Sequence, residues 1–275
     1  MRTIAVMNQK GGVGKTTTTV NLGAALAESG RKVCLIDLDP QSHLTINCGR
    51  DPSETQVSLY DVLVEGKSLK ESAYEIERGF WIVPASIDLA AAEVKLTALP
   101  GRESILKRRI EARGTLEFDY LLLDCPPSLG ILTLNALAAA SEVIIPMQPH
   151  FLALQGVGKL LETVALMSKQ VNPSLRVSGI LLTMFDSQTK LSNEVVSDLR
   201  AFLANAADKK LPWSQACIFQ SRIRRNIKLA ECPGFGQSIL KYDPSSHGAA
   251  DYRALAQEVA GMPQTVSSPV SAAVA

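Results

Sequence analysis

Short apolar runs alternate with longer helical patterns along nearly the whole chain of 275 residues. Several runs are apolar at consecutive positions, as at residues 121–123, which is typical of strands covered on both faces. Strands are predicted at residues 3–7, 32–37, 80–84, 120–124, 143–147, 177–183 and 215–219. Helices are predicted at residues 16–29, 87–96, 103–112, 129–140, 154–170, 191–206 and 246–260. This alternation predicts an α/β fold, in which helices flank a mostly parallel, doubly wound sheet.

The composition excludes a globally basic nucleic-acid binder and an acidic, unfolded chain. Lysine plus arginine number 28 against 27 for aspartate plus glutamate, and 46% of residues are hydrophobic, so a sizeable core is expected. No linker rich in proline, glycine or serine divides residues 1–260, which we interpret as one domain. Residues 261–275 have no charge and include two prolines, and we expect a disordered tail there.

The cysteines and the apolar segments indicate in which cellular compartment the protein is located. Five cysteines are scattered without a CxxC pair, which favours a reducing environment over a disulfide framework or a zinc site. The apolar run at residues 4–7 is too short for a signal peptide, and polar residues interrupt the apolar region 130–147. We therefore expect a cytoplasmic protein without a membrane span.

Residues 8–17 read Asn-Gln-Lys-Gly-Gly-Val-Gly-Lys-Thr-Thr and lie between a predicted strand and a predicted helix. Glycine lets successive N–H groups turn toward one anion, and the helix amino terminus adds partial positive charge. The pattern predicts a phosphate-binding loop, in which Lys15 contacts the β- and γ-phosphates and the Thr16 hydroxyl binds Mg²⁺. The residues expected around the nucleotide are Lys10, Gly11, Gly12, Val13, Gly14, Lys15, Thr16 and Thr17.

Two further predicted strands end in acidic residues. Residues 33–37 are apolar up to Asp37, and Asp39 follows two positions later, so alternation points both carboxylates the same way at the end of the strand. Another apolar strand ends at Asp124 and is followed by two prolines, which is a Walker B pattern. We expect Asp124 to hold Mg²⁺ through water, because Mg²⁺ keeps several of its waters in protein sites.

The strict phosphate-loop pattern fails because its first glycine falls on Gln9, and a second lysine, Lys10, stands at the start of the loop. Residues 10–17 form the deviant Walker A motif, and the chain resembles the ParA/MinD superfamily of P-loop ATPases. The resemblance implies that the ligands are ATP and Mg²⁺. It also implies that Lys10 reaches across a homodimer interface to the nucleotide of the partner subunit.

The same resemblance assigns roles at the site. It implies that Asp39 orients the attacking water, that Asp37 lies near Mg²⁺, and that Met184 and Pro233 flank the adenine. The implied catalytic residues are then Lys10, Lys15 and Asp39, and the implied metal residues are Thr16, Asp37 and Asp124.

Later segments resemble the ParA/Soj-type partition ATPases in particular. Residues 221–233 are similar to their RN-x-[RK]-L-x-E-x-P stretch, and residues 242–249 are also similar to theirs. There is no N-terminal helix-turn-helix extension, so the chain resembles the short form. The resemblance implies slow ATP hydrolysis stimulated by a ParB-type or other cargo adaptor, a nucleoid-associated location, and partition of a chromosome, plasmid or other cargo.

Residues 222–228 contain four cations and no acid, which predicts contact with DNA phosphates and no reading of base sequence. Four neutralised phosphates per subunit, or about eight per dimer, would give a salt slope near −7. Where relatives commonly have arginine in the loop that follows residue 184, this chain has Gln188, with Lys190 two positions later. The predicted DNA-binding residues are Arg222, Arg224, Arg225 and Lys228.

Three alternatives share the same loop. A MinD-like membrane-cycling ATPase needs a basic amphipathic C-terminal helix, but prolines interrupt the valine stripe at residues 266–274 and no cation follows Arg253. An iron–sulfur protein of the nitrogenase-reductase type needs two bridging cysteines, and only Cys125 lies between residues 49 and 216. A ParA-like positioner of other cargo stays open, because its motor would be the same.

Overall fold

The computed structural model describes residues 1–112, 117–150 and 153–263. Its centre is an eight-stranded sheet in the order β3-β4-β2-β5-β1-β6-β7-β8, in which only the β3–β4 pair is antiparallel. The strands are β1 (Arg2–Val6), β2 (Val33–Asp37), β3 (Tyr74–Glu77), β4 (Phe80–Val83), β5 (Tyr120–Asp124), β6 (Glu142–Met147), β7 (Arg176–Leu182) and β8 (Cys217–Ile218).

Helices cover both faces of this sheet, so the predicted α/β, doubly wound fold is confirmed. One apolar cluster lies between the sheet and α4 to α8, and a second lies between the opposite face and α1, α2, α10 and α11. The helices are α1 (Lys15–Glu28), α2 (His43–Asn47), α3 (Leu69–Ser72), α4 (Leu89–Thr97), α5 (Ile105–Glu111), α6 (Ile131–Ala139), α7 (Ala153–Gln170), α8 (Lys190–Ala204), α9 (Lys228–Glu231), α10 (Ile239–Tyr242) and α11 (His247–Gly261).

The differences from the predicted elements have physical reasons. Strand β3 was not predicted because its residues Tyr-Glu-Ile-Glu are half polar, as expected for a strand at the sheet edge. The predicted strand 215–219 shrinks to the two residues of β8. Short helices α2, α3, α9 and α10 were missed because four or five residues give no readable period. Residues 264–275, most of the predicted disordered tail, lie outside the described part of the chain.

A buried ion pair holds the amino-terminal edge of the sheet. Two nitrogens of the Arg2 guanidinium donate to the two oxygens of Glu142, each at 2.8 Å, and the Ser178 hydroxyl donates to one of these oxygens at 2.6 Å. Both charged side chains are nearly fully buried. Because the three residues belong to β1, β6 and β7, this pair fixes three adjacent strands at the edge opposite to the acidic strand ends. Within the described residues, no helix is long and apolar enough to span a bilayer.

Candidate functional site

Three loops meet at one edge of the sheet because β1, β5 and β2 are adjacent and parallel. In the strand register, Val6 lies beside Asp124, and Asp124 lies beside Asp37. The glycine-rich loop follows β1, and the two acidic strand ends are the last residues of β5 and β2. The fold therefore brings together the loop and both carboxylates, which are far apart in the sequence.

The glycine-rich loop has the backbone conformation that its sequence requires. Gly12 and Gly14 have φ angles of +71° and +85°, in the left-handed region that favours glycine. The Asn8 amide donates to the Pro146 carbonyl at 2.8 Å and accepts from the Lys10 N–H at 3.0 Å, which ties the loop to β6. Within the loop, the Lys15 ammonium donates to the Lys10 carbonyl at 3.2 Å.

Asp124 is the centre of a buried hydroxyl–carboxylate network. The Thr16 hydroxyl donates to one carboxylate oxygen at 2.7 Å, and the Thr19 hydroxyl donates to the other at 3.1 Å. Burial raises the pKa of Asp124 well above the usual carboxyl range, and these two hydrogen bonds oppose that rise. Burial also lowers the pKa of Lys15, whereas the charges of Asp124 and Asp39 oppose that fall.

Thr19 is not among the predicted site residues, although the sequence contains a signal for it. It lies three residues after Thr16 in a run of threonines at the start of α1, and positions three apart share one face of a helix. Both hydroxyls therefore point toward the same carboxylate.

The two acids at the end of β2 have different partners. Asp37 is fully buried; one of its oxygens accepts from the Thr45 N–H and hydroxyl at 2.9 and 2.7 Å, and the other accepts from the Asp39 N–H at 3.2 Å. The Asp39 carboxylate accepts from the Gln41 N–H at 3.0 Å. Because β2 ends at Asp37, strand alternation does not extend to Asp39, and the argument for a shared direction does not apply.

Thr45 is a second site residue that is not among the predicted ones. Besides its two hydrogen bonds to Asp37, its hydroxyl accepts from the Ala85 N–H at 3.0 Å just beyond β4. Burial and the neighbouring Asp124 charge raise the pKa of Asp37, and the Thr45 hydrogen bonds oppose that rise. A lone threonine in a five-residue helix gave no sequence signal, because only the fold brings it to Asp37.

Comparisons with known proteins agree with this architecture. A family model described as an AAA domain matches residues 1–177. The sporulation initiation inhibitor protein Soj of Bacillus subtilis is 43% identical over 259 residues, which cover 94% of this chain and 97% of Soj. The chromosome partitioning protein ParA of Myxococcus xanthus is 40% identical over 94% of this chain and 87% of that protein. The chain belongs to the ParA/Soj family of P-loop ATPases.

Solved structures extend the comparison to the fold. A structure described as cobyrinic acid a,c-diamide synthase from Mycobacterium smegmatis has a TM-score of 0.76 and 39% identity, covering 93% of this chain and 92% of that one. A second structure of that protein, with bound ADP and magnesium, has a TM-score of 0.73 and covers 90% of this chain and 97% of that one. The Soj and ParA relatives confirm the resemblance to the ParA/Soj family found in the sequence.

In this ParA/Soj-family protein, two of the four cations in residues 222–228 form ion pairs with acids that lie outside that segment. The Arg224 guanidinium pairs with Asp251 of α11 at 2.6 Å, and Lys228 pairs with Glu231 at 3.0 Å. Arg222 lies over the Phe185 ring at 4.3 Å. Within the described residues, neither Arg222 nor Arg225 forms an ion pair, so two unpaired cations remain where four were expected.

The two residues expected beside the adenine are in different places. Met184, in a left-handed conformation with φ of 46°, lines a cavity of about 550 Å³ together with Gly14, Thr17 and Tyr252. Pro233 does not line this cavity and instead lies in a 3₁₀ turn, Cys232–Phe235. An open cleft of about 920 Å³ adjoins Met184 and is lined by Arg222, Arg225 and Gln188, among others.

Replacing Thr45 with valine is expected to destabilise the protein by about 2–4 kcal/mol. The change leaves the buried Ala85 N–H without its acceptor, at about 1–3 kcal/mol, and removes one of the three donors to Asp37, at about 1 kcal/mol more. Thr45→Ser keeps the hydroxyl and is expected to cost about 1 kcal/mol for the lost methyl group. Urea unfolding of both variants measures the difference, and equal losses would contradict this role of the hydroxyl.

Proposed function

We propose that this protein is a Mg-ATP-dependent ATPase that dimerises on binding ATP, binds nonspecific DNA as the dimer and releases DNA after hydrolysis. Such a cycle would drive the partition of a chromosome, plasmid or other cargo. A ParB-type or other cargo adaptor would stimulate the slow basal hydrolysis. We further propose that the cycle takes place in the cytoplasm, at the nucleoid.

One observation supports this proposal above the others. The Thr16 hydroxyl lies 2.7 Å from a buried Asp124 oxygen at the amino end of α1, directly after a loop with two left-handed glycines. Phosphate oxygens bind well at such a loop, because N–H groups and the helix dipole favour negative charge. The ADP and magnesium in the M. smegmatis structure were bound by a chain of the same fold.

The donor set fits Mg²⁺. Thr16 and Asp124 provide two adjacent oxygen donors, and no cluster of three or more histidine, cysteine, aspartate or glutamate side chains within the described residues could hold a metal alone. Mg²⁺ suits such a site because it prefers oxygen ligands and retains several waters beside one or two protein groups and the phosphates. Asp37 would lie beside Asp124 without binding Mg²⁺ directly, since its own oxygens already accept three hydrogen bonds. Bound Mg²⁺ would neutralise charge on the phosphates.

The remaining side chains would position and stabilise the reacting groups. Lys15 would exchange its hydrogen bond to the Lys10 carbonyl for the β- and γ-phosphates. The Lys10 side chain is exposed at the start of the loop, where it is accessible to the nucleotide of a second subunit. Asp39, close enough to affect the pKa of Lys15, would orient the attacking water. Met184 is the better supported adenine contact because it lines the cavity beside Gly14, whereas Pro233 lies outside the lining of that cavity.

The proposed DNA surface contains Arg222 and Arg225, with Arg224 and Lys228 held by acids. Two unpaired cations per subunit correspond to about four phosphates per dimer, so the expected salt slope is about −4 rather than −7. A MinD-like membrane cycle is the alternative, and pelleting with liposomes in the presence of ATP distinguishes it from DNA binding.

Size-exclusion chromatography with and without Mg-ATP, repeated with DNA at two salt concentrations, tests the proposal. We expect a monomer without nucleotide, a dimer with Mg-ATP, and a DNA complex that dissociates at the higher salt concentration. A chain that stays monomeric with Mg-ATP would refute the dimer cycle.

Lys10→Ala is expected to abolish ATP-dependent dimerisation and leave ATP binding by the monomer largely intact. The substitution removes the exposed ammonium but keeps the backbone carbonyl that accepts from Lys15. Sedimentation with Mg-ATP measures the dimer. Lys32→Ala, at an exposed lysine before β2, is the matched control and should dimerise normally. A Lys10→Ala dimer of normal affinity would exclude the role of Lys10 across the interface.

Asp39→Ala is expected to lower hydrolysis by about 100-fold or more while ATP still closes the dimer. The loop, Thr16 and Asp124 are unchanged, and the variant loses only one hydrogen bond, from the Gln41 N–H. Phosphate release and the lifetime of the dimer on DNA are measured together. Near-normal turnover would assign the orientation of water to another group.

Arg225→Glu is expected to weaken DNA binding and flatten the log–log salt slope by about 2, since a dimer loses two phosphate contacts. The loss should be equal for unrelated DNA sequences, because phosphate contacts do not read bases. Fluorescence anisotropy across a salt series measures both effects. Arg78→Glu is the control. It reverses the charge of an exposed arginine in the turn before β4, at the opposite edge of the sheet. An unchanged slope for Arg225→Glu would locate the DNA surface elsewhere.

A further inference from the structure

Two glycines that are 187 positions apart in the sequence meet backbone to backbone. A Cβ atom built on Gly236 would lie 2.5 Å from the Gly49 Cα and 3.0 Å from its nitrogen, and one built on Gly49 would lie 3.1 Å from the Gly236 carbonyl oxygen. Both residues have positive φ angles, of +61° and +73°. Neither position therefore accepts a side chain without moving the other backbone.

On one side of the contact, Gly49 is the last residue of a segment, residues 37–49, that contains Asp39. The Thr45 N–H and hydroxyl bind Asp37, the Asp39 N–H binds Asp37 as well, and the Gly49 N–H donates to the Ile46 carbonyl at the end of α2. Residues 37–49 are thus linked by hydrogen bonds from the end of β2 to Gly49. These bonds form a continuous connection between the Asp39 backbone and Gly49.

On the other side of the contact, Gly236 follows a helical segment that begins at Lys228, three residues after Arg225. Helix α9 leads directly into the 3₁₀ turn Cys232–Phe235, whose last N–H contact is from Gly236 to the Pro233 carbonyl. The Cys232 side chain is buried in the same cluster as Cys48 and Leu44 of the α2 region. The 3₁₀ turn Cys232–Phe235 therefore packs against α2, and α9 connects this turn to the residues that follow Arg225.

We propose that Gly236, through its contact with Gly49, is a positioning residue that couples the Asp39 segment to the cationic segment at Arg222 and Arg225. This inference rests on the proposed function. Closely packed backbones cannot be compressed, so a shift of residues 37–49 on nucleotide binding must move residues 225–236 or separate the two. The contact thereby links the state of the nucleotide to the presentation of the DNA surface.

Gly236→Ala tests the contact. Because carbon atoms pack at about 3.5–4.0 Å, the new methyl group must widen the gap by about 1 Å. Gly234→Ala is the matched control: it lies in the same turn, has no atom within 4 Å of the added carbon, and needs no left-handed backbone. Gly49→Ala is a milder second variant, because its added carbon would lie 3.1 Å from the Gly236 carbonyl oxygen.

Three functional assays and one hydrogen-exchange experiment are made on all four proteins. Binding of Mg-ATP, phosphate release and ATP-dependent DNA affinity are compared first. Hydrogen exchange with and without Mg-ATP then reports protection at residues 8–17, 37–49 and 225–236 separately. Gly236→Ala is expected to bind Mg-ATP within about threefold of the unmodified chain and to lose at least tenfold in both hydrolysis and DNA affinity. Gly234→Ala should be unchanged in all three.

The exchange data separate failure of this inference from failure of the proposed function. If the unmodified chain neither hydrolyses ATP nor binds DNA, the proposed function fails. Even then, the coupling through Gly236 is supported if Mg-ATP protects residues 225–236 in the unmodified chain but not in Gly236→Ala. Residues 8–17 should be protected in both proteins. Equal protection of residues 225–236 in Gly236→Ala and Gly234→Ala overturns the coupling. If Gly236→Ala does not fold, Gly49→Ala takes its place in the comparison with Gly234→Ala.

Discussion

Two carboxylates, Asp37 and Asp124, lie side by side inside the protein at the ends of adjacent parallel strands. Strands in a sheet are about 4.8 Å apart, so the two groups cannot avoid each other's charge. Burial raises the pKa of both, and the charge of Asp124 raises that of Asp37 further. Three threonine hydroxyls, from Thr16, Thr19 and Thr45, donate to these carboxylates and offset part of the cost. Because a nearby cation would stabilise the charged form of both carboxylates, this edge favours a cation, and the rest of the site is arranged around it.

The two edges of the sheet satisfy their polar groups in different ways. At the amino-terminal edge, Arg2 and Glu142 pair with each other and are buried, and breaking one partner of such a pair costs about 3–5 kcal/mol. At the carboxyl-terminal edge, Lys15 donates to the Lys10 carbonyl and Thr16 donates to Asp124. A phosphate and a metal ion could replace these contacts without leaving a buried group unpaired. Ligand binding then exchanges hydrogen bonds rather than creating them. The amino-terminal edge therefore contributes stability, whereas the polar groups at the carboxyl-terminal edge can change partners.

The fold and the centre of the site were predictable because they depend on local patterns. Strands β1, β2 and β5 are apolar at nearly every position, and the loop from residue 8 to residue 17 encodes its own conformation through glycines at positive φ. What could not be predicted depends on contacts between distant residues. No sequence pattern joins Thr45 to Asp37 and Ala85, and the polar edge strand β3 resembles a loop until its pairing with β4 is seen.

The cationic segment shows why the count of cations in a sequence exceeds the number that lack an acidic partner in the fold. Arg224 uses its guanidinium and its backbone N–H on Asp251, so α11 fixes the direction of the segment at this residue. An arginine held in this way by a carboxylate contributes little net charge to a polyanion, because its own counter-ion is already present. Arg225, one position later, lines both the cavity beside Gly14 and the open cleft. The paired arginine therefore orients the chain, and the unpaired one is left between the proposed nucleotide and DNA sites, where occupancy of either alters its surroundings.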